Sequence, residues 1–295
     1  MSDIANNLNF ASTIREHLES IKFSHTIFAL PFAIIAALLA RNGSSPSASE
    51  FAFIILAMIG ARTWAMSVNR AVDAHIDAQN PRTKNRSLPS GRLLSKQVWL
   101  AAALGAGVFT LSAAMLSKTA LWCSPVILVI LASYSYTKRF TFFCHYWLGL
   151  CLGLAPLGAW VALQNEISPN IFLLSCAICF WVSGFDIIYA LQDQDFDRSM
   201  NLHSIPAKFG TKISLYIARF SHALAAVLFF IFGNLFHLGI PYFLGVSVAV
   251  LLMIYEHWLV RKGDLKNINM AFFNLNGWIA VLLLSSTCLS LFLNR

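Results

Sequence analysis

A chain of 295 residues that is 58% hydrophobic and only 12% charged is excluded as an ordinary soluble domain, where about a quarter of the residues carry charge. It reads as an all-α polytopic membrane protein. The net charge of +8 needs no nucleic-acid partner, because Lys and Arg gather in the cytoplasmic loops of membrane proteins and a local excess suits an anionic substrate.

The first 21 residues are polar and mixed in charge, without the compact apolar core and small-residue cleavage site of a signal peptide. They are expected to form a cytoplasmic N-terminal segment. Nine apolar runs follow, each near the 20 or so residues that a bilayer crossing needs: Phe23 to Ala40, Phe51 to Asn69, Val98 to Leu116, Ala120 to Tyr136, Phe143 to Leu163, Ile171 to Tyr189, Ile213 to Gly233, Gly239 to Leu259, and Ala271 to Leu293. The whole chain, 1–295, is therefore expected to form one transmembrane domain of nine helices. With the N-terminus inside, fifteen Lys and Arg fall on the cytoplasmic side and three (Arg41, Lys118, Arg295) on the other, as the positive-inside rule requires. Arg62, Arg70 and Arg219 lie within or beside helices.

The second run ends in Asn69, Asp73 and Asp77, four residues apart, and 120 positions later Tyr189, Asp193 and Asp197 repeat the spacing after the sixth run. On a helix that spacing stacks side chains on one face. Two oxygen-rich faces opposed across a cavity suit hard divalent cations, which in turn hold a diphosphate. Solvated acids at helix ends are the plain alternative. It is strained here, because six of only 13 acidic residues fall in these two regions and ionisable groups near the membrane core are costly. The constant offset also suggests two related halves, helices two to five and six to nine. Asp195 points off the shared face, and no EF-hand is formed, since Arg198 and Ser204 stand where the turn glycine and closing glutamate belong.

Cations follow the acids. Pro81 to Arg92 is a basic stretch after the first motif, and Tyr134 to Arg139 closes the fourth run. Arg86 and Lys138 are the preferred diphosphate contacts, then Arg82 and Arg139, with positive-inside loops as the alternative for any one of them. Asp186, two turns before Asp193, is read as a base or acceptor-orienting group, or else as a carboxyl bonded to a neighbouring helix. His25 and His203, with Lys22, are candidate contacts for an acceptor's carboxylate, and His75 lies off the metal face. The six cysteines, including Cys176 and Cys179, read as packing residues.

Together, Asn69-x-x-x-Asp73-x-x-x-Asp77, the Arg82 to Arg92 stretch with Leu88-Pro89-Ser90-Gly91-Arg92, Tyr134-x-x-x-Lys138-Arg139 and Asp193-x-x-x-Asp197 resemble the UbiA superfamily of intramembrane aromatic prenyltransferases, from Ile21 to the ninth helix. The resemblance implies nine helices around a central cavity and two magnesium ions held by Asn69, Asp73, Asp77, Asp193 and Asp197. It also implies a diphosphate site that includes Tyr134 and a lateral opening to lipid for the prenyl tail. It implies transfer from a polyprenyl diphosphate to an aromatic acid such as 4-hydroxybenzoate in ubiquinone or menaquinone synthesis, at a bacterial inner membrane with the site facing the cytoplasm. Two segments depart from the hydroxybenzoate pattern, Lys22-Phe23-Ser24-His25 and His203-Ser204-Ile205-Pro206, and resemble a subgroup linked to futalosine-type menaquinone synthesis. Naphthoate-type acceptors share the chemistry. A cation-coupled transporter is the rival from another class.

Overall fold

The computed structural model describes residues 10–261, 268 and 270–294, with the side chains of residues 10–12, 23–25 and 271 left outside. The side chain of His25, and Lys262, Lys266 and Arg295 of the charge pattern, lie outside the described residues. Every regular element among the described residues is helical: α1 Phe10–Ser20, α2 Leu30–Ala40, α3 Ala48–Gln79, α4 Ser95–Leu116, α5 Lys118–Thr137, α6 Cys144–Gln164, α7 Pro169–Ala190, α8 Gln194–Ser199, α9 Ile205–Leu235, α10 Ile240–Leu259 and α11 Asn276–Leu293. Short 3-10 turns at Phe23–Phe28 and Leu191–Asp193 and a π turn at Met270–Leu275 complete them.

Eight of these helical segments are long and apolar enough to cross a membrane. The first expected crossing, Phe23 to Ala40, is different. Its start is a 3-10 turn, and the α-helix begins only at Leu30, with Pro31 in its first turn where the missing N–H costs nothing. The resulting apolar helix, Thr26–Ala40, is shorter than the rest.

The chain divides into two compact units, residues 1–26 with 52–136 and residues 27–51 with 137–295. In the first, α3 and α4 touch backbone to backbone through a pair of glycines. A Cβ on Gly60 would stand 2.7 Å from the Gly105 carbonyl, and one on Gly105 would stand 2.9 Å from the Gly60 carbonyl. Between helices in lipid, where apolar association gains nothing from water, this close approach is a main source of packing energy. The Trp64 indole Nε1–H donates to the Leu128 carbonyl at 2.8 Å and ties α3 to α5.

In the second unit α7 is the hub. Trp181, Phe185, Ile171, Leu174, Ile178 and Ile187 are almost wholly buried, because α6, α9 and the Phe28 ring pack around it. Gly149 and Gly153, four residues apart, seat α6 on α7 against the backbone of Cys179 and Ser175. The compact units therefore do not follow the halves expected from the 120-residue offset. The fifth apolar run, assigned to the first half, becomes α6 and packs within the second unit. The six cysteines are free.

Gly105→Val is expected to force α3 and α4 apart and cost about 1–3 kcal/mol. Gly107→Val, where a Cβ meets nothing within 4 Å, is the neutral control, and thermal unfolding of the two variants in detergent checks the contrast.

Candidate active site

In the first unit α3 continues past its apolar stretch, so Asn69, Asp73 and Asp77 emerge on successive turns of one unbroken helix. Asn69 and Asp77 are buried and Asp73 is half-buried. The Asn69 Nδ2 donates to Asp73 Oδ2 at 2.7 Å, while its Oδ1 accepts from Arg70 Nη1 at 3.0 Å. Arg86 Nη1 reaches both oxygens of Asp77, at 2.8 and 2.7 Å. Arg70 lies 3.9 Å from the same carboxylate.

The chain after α3 folds tightly enough to return Arg86 to Asp77. The Thr83 hydroxyl donates to the Asp77 carbonyl at 3.0 Å, and the Lys84 and Ser90 amides donate back four residues. Gly91 closes the segment at φ 78°, a left-handed conformation that suits a residue without Cβ. α1 holds it from outside: Glu16 accepts from the Ser87 hydroxyl at 2.6 Å and from Arg92 Nε at 3.1 Å. Burial pushes the Glu16 carboxyl up, but these two partners outweigh it and leave it below the ordinary glutamate value. Arg70 Nε also donates to the Ser20 carbonyl at 2.9 Å, and Arg62 to the carbonyls of Ile21 and Lys22 at 3.1 and 3.0 Å. Arg82 is exposed and Tyr134 half-buried. His75 is exposed and bonded to Gln79, away from the acids.

In the second unit Asp193 closes a 3-10 turn at the end of α7, and Asp197 follows on α8. Both are buried, whereas the Asp195 side chain is 98% exposed, off the shared face as the spacing requires. Lys138 Nζ donates to Asp197 Oδ2 at 3.0 Å and Oδ1 at 3.2 Å. Burial pulls the Lys138 ammonium down, and the Asp197 charge more than reverses this, so it stays protonated above the ordinary lysine value. The segment after the second motif is clamped onto the residues after α5. The His203 N–H donates to the Lys138 carbonyl at 2.6 Å, and the Cys144 thiol to the His203 carbonyl at 3.5 Å. His203, Arg139 and Lys22 are exposed.

Asp186 accepts from His145 Nδ1 on α6 at 2.7 Å, which is the neighbouring-helix bond given above as its alternative. Its side chain is still one-fifth exposed, while that of His145 is sealed. Tyr189, one turn on, stacks on Phe272 of the π turn at 4.1 Å, and Phe272 meets Phe28 and Phe185 edge-on. The aromatic wall beside the Asp186–Asp193 face is thus drawn from three distant segments. No sequence signal marks these among the 24 phenylalanines. Sequence reasoning also missed His145, Glu16 and the role of Arg70. The signal available for His145 and Arg70 was an ionisable residue inside an apolar run.

The donor set is amide and carboxylate oxygen, the chemistry that magnesium takes. Asp77, Asp193 and Asp197 are buried carboxylates at helix ends, which need positive charge nearby. Arg86 and Lys138 supply it to Asp77 and Asp197. In donor type the residues of each motif suit the metal, while among the described residues no three His, Cys, Asp or Glu side chains converge as a ligand cluster.

The UbiA prenyltransferase family profile matches residues 29–289. Two 4-hydroxybenzoate octaprenyltransferases are similar in sequence. That of Pseudomonas aeruginosa strain LESB58 is 26% identical, over 82% of this chain and 81% of its own. That of Francisella tularensis subsp. novicida is 28% identical, over 87% and 90%. Among solved structures, the apo form of a UbiA homolog from Aeropyrum pernix K1 superposes with a TM-score of 0.82 at 34% identity, covering 89% of this chain and 96% of that one. A UbiA homolog from Archaeoglobus fulgidus bound to GPP and Mg2+ shares the fold, with a TM-score of 0.73 at 18% identity over 94% of this chain and 99% of that one.

Lys138→Met leaves the buried Asp197 carboxylate without its cation, at a cost of about 2 kcal/mol, below the figure for a sealed pair because Lys138 is partly exposed. The variant is expected to melt lower than wild type in chelator and to recover more than wild type does on adding Mg2+. Paired melts in EDTA and in millimolar Mg2+ check this.

Proposed function

This chain belongs to the UbiA prenyltransferase family, and we propose that it transfers a polyprenyl group from a polyprenyl diphosphate to an aromatic acid such as 4-hydroxybenzoate, in quinone biosynthesis at a bacterial inner membrane. The observation that carries this reading is the set of carboxylates, Asp77, Asp193 and Asp197, buried at the ends of apolar helices and flanked by Arg86 and Lys138. Buried acids of this kind are expensive and mark a site.

Magnesium, when bound, supplies the positive charge that stabilises departing diphosphate. Asn69, Asp73, Asp77, Asp193 and Asp197 would hold it. Arg82, Arg86, Tyr134, Lys138 and Arg139 are the proposed diphosphate contacts. The guanidinium of Arg86 offers a planar fork to phosphate oxygens and Lys138 a point charge. Arg86 and Lys138 stand on ligand carboxylates before substrate arrives, so each is already aimed, and the rest of their donors are available to the substrate. Loss of diphosphate leaves an allylic cation, which the aromatic rings of Tyr189 and Phe272 attract while excluding water. The acceptor ring then attacks that cation. Lys22, His25 and His203 are the proposed contacts for its carboxylate, and Asp186 the group that takes the ring proton. The active site faces the cytoplasm in this reading.

A second acceptor class, the futalosine-pathway or naphthoate-type ring, uses the same chemistry. It is favoured by the two departures from the hydroxybenzoate pattern, at Lys22 to His25 and His203 to Pro206.

Purified protein with a long-chain prenyl diphosphate, Mg2+ and a panel of aromatic acids is expected to give a prenylated acid. Asp73→Ala is expected to lower the rate by a factor of roughly 100 or more, the usual loss when a transition-state charge contact is removed. Absence of product with every acid, from folded protein and intact donor, overturns the reading.

A further inference from the structure

The hydrogen bond that the Asp186 carboxylate accepts comes from an imidazole, and that partner decides what it can do. His145 Nε2 lies 3.3 Å from the Ile205 amide nitrogen. An amide N–H only donates, so Nε2 must present its lone pair, and the proton of the neutral ring sits on Nδ1. Nδ1–H then donates to Asp186 Oδ2 at 2.7 Å. The reverse bond, from a protonated Oδ2 to Nδ1, would leave the imidazole with no proton at all.

The ring is fixed on both sides. Nδ1 and Nε2 are both bonded, and its side chain is 1% exposed against 20% for Asp186. The imidazole therefore occupies Oδ2 and makes no claim on Oδ1, the second oxygen of a side chain that is one-fifth exposed. Asp186, Tyr189 and Asp193 follow at helical i, i+3, i+7 spacing on α7 and its terminal 3-10 turn, so they share a face. Asp186 stands about 10 Å further along the helix axis than Asp193, at about 1.5 Å per residue, on the apolar side of the metal ligands. Tyr189 and its stacked partner Phe272 lie between.

We propose that His145 is the positioning residue of the proton acceptor, Asp186, a role that rests on the transfer reaction proposed above. In the reaction the carbon–oxygen bond to diphosphate breaks and its electron pair leaves with the diphosphate. A ring π pair of the acceptor forms the new carbon–carbon bond. The ring C–H bond then breaks, its electrons restore aromaticity, and the proton goes to Asp186 Oδ1. Oδ2 keeps the His145 bond before and after, so the pair accepts the proton without rearranging. The proton later passes to water as product leaves.

The test is the ring-deuterium isotope effect on turnover, with the acceptor deuterated at the carbon that is alkylated. When the base is in place, proton loss is fast and the effect on wild type is near unity. Asp186→Asn and His145→Leu are each expected to slow turnover at least tenfold and raise the isotope effect above about 2. His145→Asn, whose amide can donate to Asp186 and accept from the Ile205 N–H, is expected to restore much of the rate and lower the effect again. KM for the prenyl diphosphate is expected to stay within a few-fold in all three. Slower turnover with the isotope effect unmoved makes the pair structural and overturns the proposal, as does an unaffected rate in Asp186→Asn. If His145→Leu fails to fold, Asp186→Asn and His145→Asn still decide the matter, since an unchanged isotope effect in Asp186→Asn is sufficient to reject it. A wild type that prenylates no aromatic acid removes the transfer reading and this inference with it. A wild type that does so, with variants lacking the isotope signature, removes this inference alone.

Discussion

Negative charge at the ends of apolar helices is the constraint on which the rest of this structure depends. A carboxylate removed from water must be matched by charge and hydrogen bonds or it will protonate or destabilise the fold. The chain meets this demand with one short-range and one long-range pair. Asp77 is answered by Arg86, nine residues on, and the turns of residues 80–93 exist in a form that brings that arginine back. Asp197 is answered by Lys138, whose own carbonyl takes the His203 amide. The loops are basic in keeping with membrane topology, yet the particular cations that matter are set by contact with acids and not by the side of the membrane they occupy.

The surroundings of Asp77 also carry the N-terminal segment. Arg70 bonds Asn69 with Nη1 and the Ser20 carbonyl with Nε, so one guanidinium couples the end of α1 to the first acidic face. Glu16 grips Ser87 and Arg92 at the far end of the basic stretch. Within the first unit, α1 therefore braces both the acids and the loop that neutralises them. An arginine can do this because its donors are fixed in a plane and point in several directions at once, whereas a lysine ammonium presents a single point of charge.

Much of this was legible in the sequence, and the boundary is physical. Asn69, Asp73 and Asp77 could be placed because a four-residue step has one meaning on a helix, and α3 is unbroken. Asp193 and Asp197 were legible for the same reason, although a 3-10 turn tightens the chain at Asp193. Arg86 followed from its place nine residues after Asp77, and Lys138, 59 residues from Asp197, from its place at the end of the fourth apolar run on the side to which the charge pattern assigns the acids. His145 did not, since its bonds to Asp186 and Ile205 span 41 and 60 residues and no local pattern reports them. The short first apolar helix was misjudged in length because hydropathy counts Phe23 to Leu30 as apolar without knowing that Pro31 starts the helix late. The grouping of α6 with α7 was missed because glycine pairs in apolar runs fix contacts only once the partner helix is known.

Trp181 shows how polar groups far from the acids can be ordered by the same donor logic that fixes His145. Its indole Nε1–H can only donate, and it does so to Asn276 Oδ1 at 2.8 Å, which turns the Asn276 amide nitrogen toward Glu256 Oε1 at 3.3 Å. Its backbone carbonyl can only accept, so the His222 Nε2 at 3.1 Å carries a proton, and in the neutral ring Nδ1 must accept in turn from His257 Nε2 at 3.1 Å. Two chains of hydrogen bonds therefore leave one fully buried tryptophan in directions fixed by its two polar atoms. α9, α10 and α11 each contribute a member, so the indole and the carbonyl of Trp181 together tie three helices to α7. Phe185, Asp186 and Tyr189 follow that tryptophan on the same helix, so the layer that anchors Trp181 also anchors the turn from which Asp186 projects.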